Sequence, residues 1–206
     1  MTDKAARPSD RREACLREAI AIVETSGVEG LSLREVSRRL GISHQAPYKH
    51  FASRDHLLAE IVARTFDAFS AHLEARPRHT DPFDDMETMG IACFTYAEAN
   101  PLQYRLMFET PLPDPAEHPA MKAAAQRAFG LLVAAIERLP LQGPRARRDA
   151  PIDLDALFVW SAIHGLISML NAPAMQTLDF PAETLRAAIP HTLACIGRAI
   201  ETRTDD

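Results

Sequence analysis

The sequence predicts an all-α protein in which a small N-terminal helix-turn-helix domain precedes a larger helical domain. Three observations support this fold class. Apolar residues recur at helical spacing in nearly every segment, and helix-capping and helix-ending residues divide the chain at intervals typical of helices. No segment alternates apolar and polar residues as a half-buried strand would. About nine helices are expected in total.

The composition is that of an ordinary globular chain. Of its 206 residues, 47% are hydrophobic and 25% are charged, which allows a sizeable core without covalent cross-links. The three cysteines, Cys15, Cys93 and Cys195, have no paired spacing, so neither a disulfide framework nor a metal site is expected. The N-terminus lacks the apolar stretch of a signal peptide, and a reducing cytoplasm is the expected location.

Domain boundaries follow from the positions of caps and prolines. We expect a disordered arm at residues 1–10, a helix-turn-helix domain at residues 11–55, and a larger helical domain at residues 56–206. Beyond the first three helices, the pattern predicts helices near residues 53–76, 81–100, 102–110, 116–139, 152–171 and 182–202. A polar, basic loop is expected at Leu141–Pro151.

The helix-turn-helix is indicated by local signals. A first helix is expected at Arg11–Ser26, and Ser32 and Glu35 form a capping box that opens the second. Gly41 supplies the positive φ that ends this helix. A third helix is expected at Ser43–Phe51, with Pro47 weakening its first turn. The expected shared core is Val36, Leu40, Ile42 and Phe51.

Charge is unevenly distributed. The formal net charge is −5, but residues 1–55 carry 10 Lys and Arg against 8 Asp and Glu. Between residues 32 and 54, five cations accompany the single acid Glu35: Arg34, Arg38, Arg39, Lys49 and Arg54. A local basic patch on an acidic body favours a localised polyanion partner, although a solvated helix face would give the same pattern.

These residues resemble the N-terminal domain of the tetracycline-repressor (TetR/AcrR) family. The similar segments are Gly30–Ser43, Ala46–Phe51, Ser53–Asp55 and Leu57–Leu58. Two positions depart from the family pattern: Ser37 replaces the usual alanine, and Pro47 replaces the usual leucine.

The resemblance implies that residues 43–46 approach base edges and that flanking side chains hold phosphates. The implied DNA-binding residues are Ser32, Arg34, Ser43, His44, Gln45, Ala46, Tyr48, Lys49, His50 and Arg54. A core position for Tyr48 and a helix-capping position for His50 remain alternatives. The partner would be double-stranded DNA with a pseudo-palindromic operator, bound by a homodimer. The resemblance further implies that residues 56–206 are a ligand-binding and dimerisation domain that takes a small-molecule effector.

A long uncharged run supports dimerisation independently. Residues 156–178 contain no Asp, Glu, Lys or Arg, and apolar residues surround most of this helix. Such a helix is buried on most sides, for example against its twin and the last helix. A membrane span is the rival interpretation, but polar residues interrupt the run and no membrane association is expected.

The pattern Trp160, His164, Gly165 resembles the Trp-His-Gly type of C-terminal domain found in one branch of the family. Trp160 and His164 share a helical face, and Gly165 would permit close helix packing. These two side chains are either a pocket wall with a polar handle or a purely structural motif. The candidate ligand-binding residues are Met86, Met89, Phe94, Tyr104, Met107, Phe108, Phe129, Trp160 and His164.

The predicted function is a dimeric transcriptional repressor that a small, largely apolar ligand releases from its operator. No catalytic or nucleotide-binding motif is present, so neither enzymatic activity nor a cofactor is expected. Two alternatives remain. One is a helical ligand-binding or catalytic protein with a vestigial DNA-binding domain, and the other is an activator of the same family.

Overall fold

The computed structural model of the protein describes residues 8–140 and 152–201. These residues form eight α-helices and no strand. The helices are α1 (Pro8–Ser26), α2 (Leu33–Leu40), α3 (Arg54–Glu74), α4 (Pro82–Ala99), α5 (Pro101–Phe108), α6 (Pro119–Glu137), α7 (Ile152–Asn171) and α8 (Ala182–Glu201). Short 3-10 helices occupy Val28–Gly30, Pro47–Lys49 and Pro173–Leu178. The all-α prediction is confirmed for this part of the chain.

The described residues form two compact units. The N-terminal unit comprises the chain up to Thr65 together with Thr110–Ala124, and the C-terminal unit comprises Phe66–Glu109 and the residues from Ala125 onward. The division therefore falls inside α3, further along the chain than the expected boundary after residue 55. The reason is that the first half of α3 completes the N-terminal core.

The expected N-terminal arm and the expected basic loop lie partly or wholly outside the described residues. α1 begins at Pro8, so the last residues of the expected disordered arm are helical, and residues 1–7 lie outside the described part of the chain. The loop expected at Leu141–Pro151 also lies outside it.

In the N-terminal unit, α1, α2 and the first half of α3 enclose one apolar core. Its largest buried side chains are Leu16, Ile22, Leu31, Phe51, Leu57, Leu58 and Ile61. Ion pairs join α1 to α3 across the rim of this core, since Arg12 contacts Glu60 at 3.1 Å and Arg64 contacts Glu13. The guanidinium of Arg12 also lies 5.2 Å from the ring centroid of Phe51.

In the C-terminal unit, α4 packs against α5, α7 and α8. It lies close to α8 at Gly90, where an added Cβ would be 2.4 Å from Cδ2 of Leu193. This contact explains why a glycine occupies the middle of α4. At Gly165, where close packing was expected, an added Cβ would meet no atom within 4 Å, so no described helix of the same chain packs closely there.

A buried carboxylate organises one end of the C-terminal unit. Asp85 accepts hydrogen bonds from Arg76 Nη2 at 2.9 Å, Arg138 Nη1 at 2.8 Å and the His79 amide at 3.2 Å. Arg78 approaches the same carboxylate at 3.4 Å. Burial alone would raise the pKa of Asp85, but the His79 amide and the three guanidinium groups together hold it below its ordinary value.

Candidate nucleic-acid interface and ligand groove

Helix α2 begins and ends as the sequence predicts. The Glu35 amide donates to Oγ of Ser32 at 3.1 Å, which confirms the N-cap. Gly41 has φ 64° and lies in the left-handed region, and its amide donates to the last turn of the helix. The Ser32 cap and the Gly41 terminus therefore predict both ends of α2 to within a residue.

The reciprocal half of the capping box is not formed. The Glu35 carboxylate instead accepts from Arg38 at 2.7 and 2.6 Å and from Arg39 at 2.9 Å. These hydrogen bonds lower the pKa of Glu35 to about 2, and the bonds from Arg38 have the largest effect. Arg39 also lies 3.5 Å from Glu18. Glu35 therefore pairs two of the five cations in the expected basic patch, and a third, Arg54, lies 3.4 Å from Asp55.

The segment Ser43–Phe51 differs from the expected third helix. It contains one turn at residues 44–46 followed by the 3-10 helix Pro47–Lys49, and the Phe51 and His50 amides both donate to the carbonyl of Pro47. Pro47 has no N–H to donate to the Ser43 carbonyl, which instead accepts from Ala46 at 3.0 Å. The proline therefore prevents the first α-helical turn, and we call Ser43–His50 the reading turn.

The reading turn presents most of its side chains to solvent. Ser43, His44, Gln45, Tyr48 and Lys49 are exposed, whereas Ala46 and His50 are half-buried. Tyr48 has 51% of its surface exposed, so its alternative assignment to the core is wrong. Ile42, expected in the shared core, is 37% exposed, while Val36 and Phe51 are buried as predicted.

Arg54 has a structural position that sequence reasoning missed. Its Nη2 donates to the Val28 carbonyl at 2.7 Å and its Nε donates to the Leu31 carbonyl at 3.0 Å. These bonds tie the start of α3 to the loop before α2. The guanidinium that was expected to hold a phosphate is thus already bound to the protein backbone. Arg34, by contrast, is exposed and Ser32 is half-buried beside it.

In the C-terminal unit, Trp160 and His164 lie in a continuous aromatic cluster. The ring centroids are 4.3 Å apart for Trp160 and His164, and 4.1 Å apart for Phe108 and His164. Phe129 lies 5.2 Å from Trp160. Trp160 and His164 are therefore neighbours, as expected, and aromatic side chains from α5 and α6 pack against them.

Tyr104 is fully buried and shares a hydrogen bond with Nδ1 of His164. Burial lowers the pKa of His164 to about 4, so the imidazole is neutral near pH 7. Burial also raises the pKa of Tyr104 above its ordinary value. The pair is accordingly an uncharged polar contact inside an apolar cluster.

Two spaces adjoin this cluster. A groove of about 690 Å³, open on one side, is lined by Phe66, Met107, Phe108, Ala125, Gln126, Phe129, Gly130, Val133, Ala134, Glu137, Asp153, Leu157 and Trp160. A smaller inner cavity of about 40 Å³ is lined by residues that include Met86, Met89, Gly90, Cys93 and His164. Trp160 lines both spaces. The larger volume lies within the range of small-molecule sites.

The predicted ligand-binding residues divide among these spaces. Met107, Phe108, Phe129 and Trp160 line the groove, and Met86, Met89, Trp160 and His164 line the inner cavity. Phe94 and Tyr104 line neither of them. Phe94 faces another depression between α4, α7 and α8, and Tyr104 is fully buried. Sequence reasoning missed Glu137, Asp153 and Phe66, because their spacing gives no sign that α3, α6 and α7 converge.

Helix α7 carries an exposed apolar stripe, defined by Leu154, Phe158, Gly165 and Met169. The exposed fractions are 57% for Leu154, 42% for Phe158 and 53% for Met169. Of the described helices, α7 alone is long and apolar enough to cross a membrane, with a mean hydropathy of 1.4, which by itself is weak evidence of a span. In the single chain, α7 is therefore less buried than a helix of such apolar composition is expected to be.

Helix α2 followed by an exposed polar turn, together with a helical unit that contains an apolar groove, is an arrangement typical of DNA-binding transcriptional regulators. Two family models match the chain: bacterial regulatory proteins of the tetR family over residues 16–61, and the tetracyclin repressor-like C-terminal domain over residues 86–192. The chain belongs to the tetR family of bacterial regulatory proteins.

Individual relatives agree with this assignment. An uncharacterized HTH-type transcriptional regulator of Mycobacterium tuberculosis is 25% identical over 178 residues, which cover 86% of this chain and 78% of that protein. A solved structure of a protein of unknown function from Rhodococcus sp. RHA1 matches with a TM-score of 0.75 and 23% identity, covering 96% of this chain and 98% of the other. A putative tetR family transcription regulator from Shewanella sp. PV-4 matches with a TM-score of 0.68 and 18% identity, covering 92% and 97%. At these identities the solved structures show the shared fold alone.

Proposed function

We propose that this regulator is a homodimeric repressor, acting in the cytoplasm, that a small and largely apolar effector releases from a pseudo-palindromic operator. The observation that carries the proposal is the groove of about 690 Å³ beside Trp160, in a chain that also exposes a reading turn. Effector binding would favour a conformer in which the two reading turns no longer match the spacing of the operator half-sites.

The proposed DNA contacts fall into two groups. His44 and Gln45 project from the start of the reading turn, and a Gln amide can pair bidentately with adenine. Tyr48, Lys49 and Arg34 are exposed and suited to phosphate oxygens. Neither Arg34 nor Lys49 forms an ion pair with another described residue, so their positive charges are available to DNA.

The dimer would form through the exposed stripe of α7 together with α8. A second copy of the chain is the occupant we propose, because two-fold symmetry matches a palindromic operator. Gly165 has open space above its Cα and lies within the stripe, so the backbone of a partner helix could approach closely there.

DNA binding is tested by fluorescence anisotropy with the DNA upstream of the protein's own gene. Lys49→Ala should weaken binding to all sequences and lower the slope of log affinity against log salt by about one for each phosphate that the lysine neutralises. The matched control is Lys122→Ala, which removes an exposed lysine from α6 and should leave the slope unchanged. Specific repression is ruled out if no DNA sequence competes better than random DNA.

Effector control is tested by filling the groove permanently. Gly130 lines the groove, and an added Cβ there would meet no atom within 4 Å. Gly130→Phe therefore places a ring in the groove without a clash at its attachment point, and we expect operator affinity to fall at least tenfold with an unchanged unfolding midpoint. Gly130→Ala, which leaves the groove open, is the control. Full operator affinity in Gly130→Phe would contradict effector control through this groove.

A further inference from the structure

The inner cavity and the groove meet at one side chain. Of the described residues that line the two spaces, Trp160 alone is common to both. The inner cavity measures about 40 Å³, and its described lining comes from α3, α4, α6 and α7. A single water molecule needs about 10–15 Å³ of such space, so the cavity has room for a small chemical group. A molecule that occupies the groove would therefore extend into the cavity by displacing the indole.

The described lining of the inner cavity carries no charge near pH 7. None of these residues is Asp, Glu, Lys or Arg. Burial raises the pKa of Cys93 to about 12 and lowers that of His164 to about 4, so both side chains are neutral. An ionic group that entered this space would lose its hydration without gaining a counter-charge. The cavity therefore favours an uncharged group.

The imidazole of His164 uses one of its nitrogens and leaves the other free. Nδ1 shares a hydrogen bond with Tyr104, whereas Nε2 bonds to no described residue. Among the described residues, the side-chain polar atoms that are both sealed from solvent and unpartnered are Ser70 Oγ and Arg76 Nε. Nε2 of His164 is therefore open to a small molecule, on a side chain that lines the inner cavity.

Other polar groups at this cavity are poorer partners for a ligand. The Cys93 thiol is a weak hydrogen-bonding group, and the Trp160 indole can only donate. A neutral imidazole nitrogen either donates or accepts, according to the tautomer. The ring is also packed in place, since its centroid lies 4.3 Å from that of Trp160 and 4.1 Å from that of Phe108. His164 thus presents an oriented polar atom in apolar surroundings.

We propose that Nε2 of His164 anchors the effector by a hydrogen bond to its uncharged polar end, a hydroxyl or carbonyl group, while its apolar body lies in the groove. The polar end reaches the inner cavity past the indole of Trp160. These two side chains are then the wall and the polar handle of one ligand site. This inference rests on the effector-responsive function proposed above and names the chemical class of its ligand.

Four compounds with the same phenylpropyl body test the preference for an uncharged end on the full-length protein. They are 3-phenylpropan-1-ol, butylbenzene, 3-phenylpropylammonium and 4-phenylbutanoate. Binding is measured by calorimetry and by the emission of Trp160, the single tryptophan of the chain. We expect both ions to bind at least tenfold more weakly than the alcohol, and the alcohol to change the indole emission. An ion that binds as tightly as the alcohol, or no binding of the alcohol at millimolar concentration, would overturn the proposal.

Two variants separate the anchor from a purely structural role of His164. Tyr104→Phe removes the partner of Nδ1 and leaves Nε2, so the affinity of the alcohol relative to butylbenzene should stay within about twofold of wild type. Tyr104→Phe/His164→Phe keeps two rings and leaves no buried hydroxyl unpaired, but it removes Nε2. In the double variant the relative affinity of the alcohol should fall at least fivefold. Equal relative affinities in the two variants would rule out the anchor.

The wild-type protein supplies a measurement that does not depend on a variant that folds. The nitrogen chemical shift of His164 Nε2 is followed by NMR, and the imidazole is identified by its proximity to the Trp160 ring. The alcohol should move this shift, and butylbenzene should move it much less. Equal shifts with the two compounds would contradict a hydrogen bond at Nε2.

A parallel titration of the protein–operator complex separates this inference from the proposed function. If the alcohol and butylbenzene release DNA equally well in the wild type and in the double variant, effector control stands and the His164 anchor is wrong. If the alcohol binds through His164 but the complex remains intact at saturation, the anchor stands and this site does not control release.

Discussion

The hydroxyl of Tyr104 and Nδ1 of His164 share a hydrogen bond that joins α5 to α7 inside the aromatic cluster. Because burial lowers the pKa of His164 to about 4, the folded protein holds this imidazole neutral. An unfolded chain protonates the same residue near its ordinary pKa of about 6.5.

The stability of the folded protein should therefore depend on pH through His164. Its contribution is fully present above about pH 6.5 and is lost as the pH falls toward 4, at no more than about 1.4 kcal/mol per pH unit. Urea unfolding at several pH values measures this slope, and His164→Gln should reduce it because glutamine does not titrate. A variant with the same pH slope as the wild type would show that other groups cause the loss.

Arg54→Ala should destabilise the N-terminal unit, because it removes the donors to the Val28 and Leu31 carbonyls. The expected loss is about 1–3 kcal/mol in the free energy of unfolding, measured by urea titration. Lys49→Ala, an exposed change, should stay within about 0.5 kcal/mol of wild type. If Arg54→Ala left stability unchanged and lowered only the salt slope of DNA binding, Arg54 would be a phosphate contact.

Asp85→Asn should be the most destabilising single change considered. It leaves the buried guanidinium of Arg76 without its carboxylate, and losing one partner of a buried pair costs about 3–5 kcal/mol. Thermal unfolding measures the effect. Asp84→Asn is the matched control, since Asp84 is exposed one residue away and should show little change. Equal melting temperatures for the two variants would contradict the structural importance of the Asp85 cluster.

Phe158→Asp should dissociate the proposed dimer. The charge would lie in the middle of the exposed stripe of α7, where a second copy would otherwise cover the ring. Sedimentation velocity gives the oligomeric state. Leu112→Asp alters a side chain of similar exposure in the N-terminal unit, and should leave the dimer intact. A Phe158→Asp protein that still sedimented as a dimer would place the interface elsewhere.

Local chemistry accounts for the parts of the site that sequence reasoning predicted well. The Ser32 cap and the Gly41 terminus act within one helical turn, so their residues alone determine them. The proximity of Trp160 and His164 was also expected, because the two residues share one helical face. Pro47 was expected to weaken the first turn of the third helix, but its effect is larger. The residues that remain after the proline are too few to continue as an α-helix, and they form a 3-10 helix instead.

Long-range contacts account for what was missed. The backbone carbonyls that bind Arg54 lie more than twenty residues earlier in the chain, and no local pattern connects them. Glu137 and Asp153 line the groove from the end of α6 and the start of α7, so they meet there only once those helices are placed. The contacts of Glu35 were missed for a different reason. Its spacing to Arg38 and Arg39 is visible in the sequence, but the capping box also predicted a bond from Glu35 back to the Ser32 amide.

The contact between Gly90 and Leu193 joins α4 to α8 at a position where α4 has no side chain. A Cβ on Gly90 would lie 2.4 Å from Cδ2 of Leu193, so Gly90→Ala would require the Leu193 side chain to move. Gly90 also lines the inner cavity that Trp160 separates from the groove. A single methyl group at position 90 would therefore alter the packing of α8 and the shape of the inner cavity at the same time.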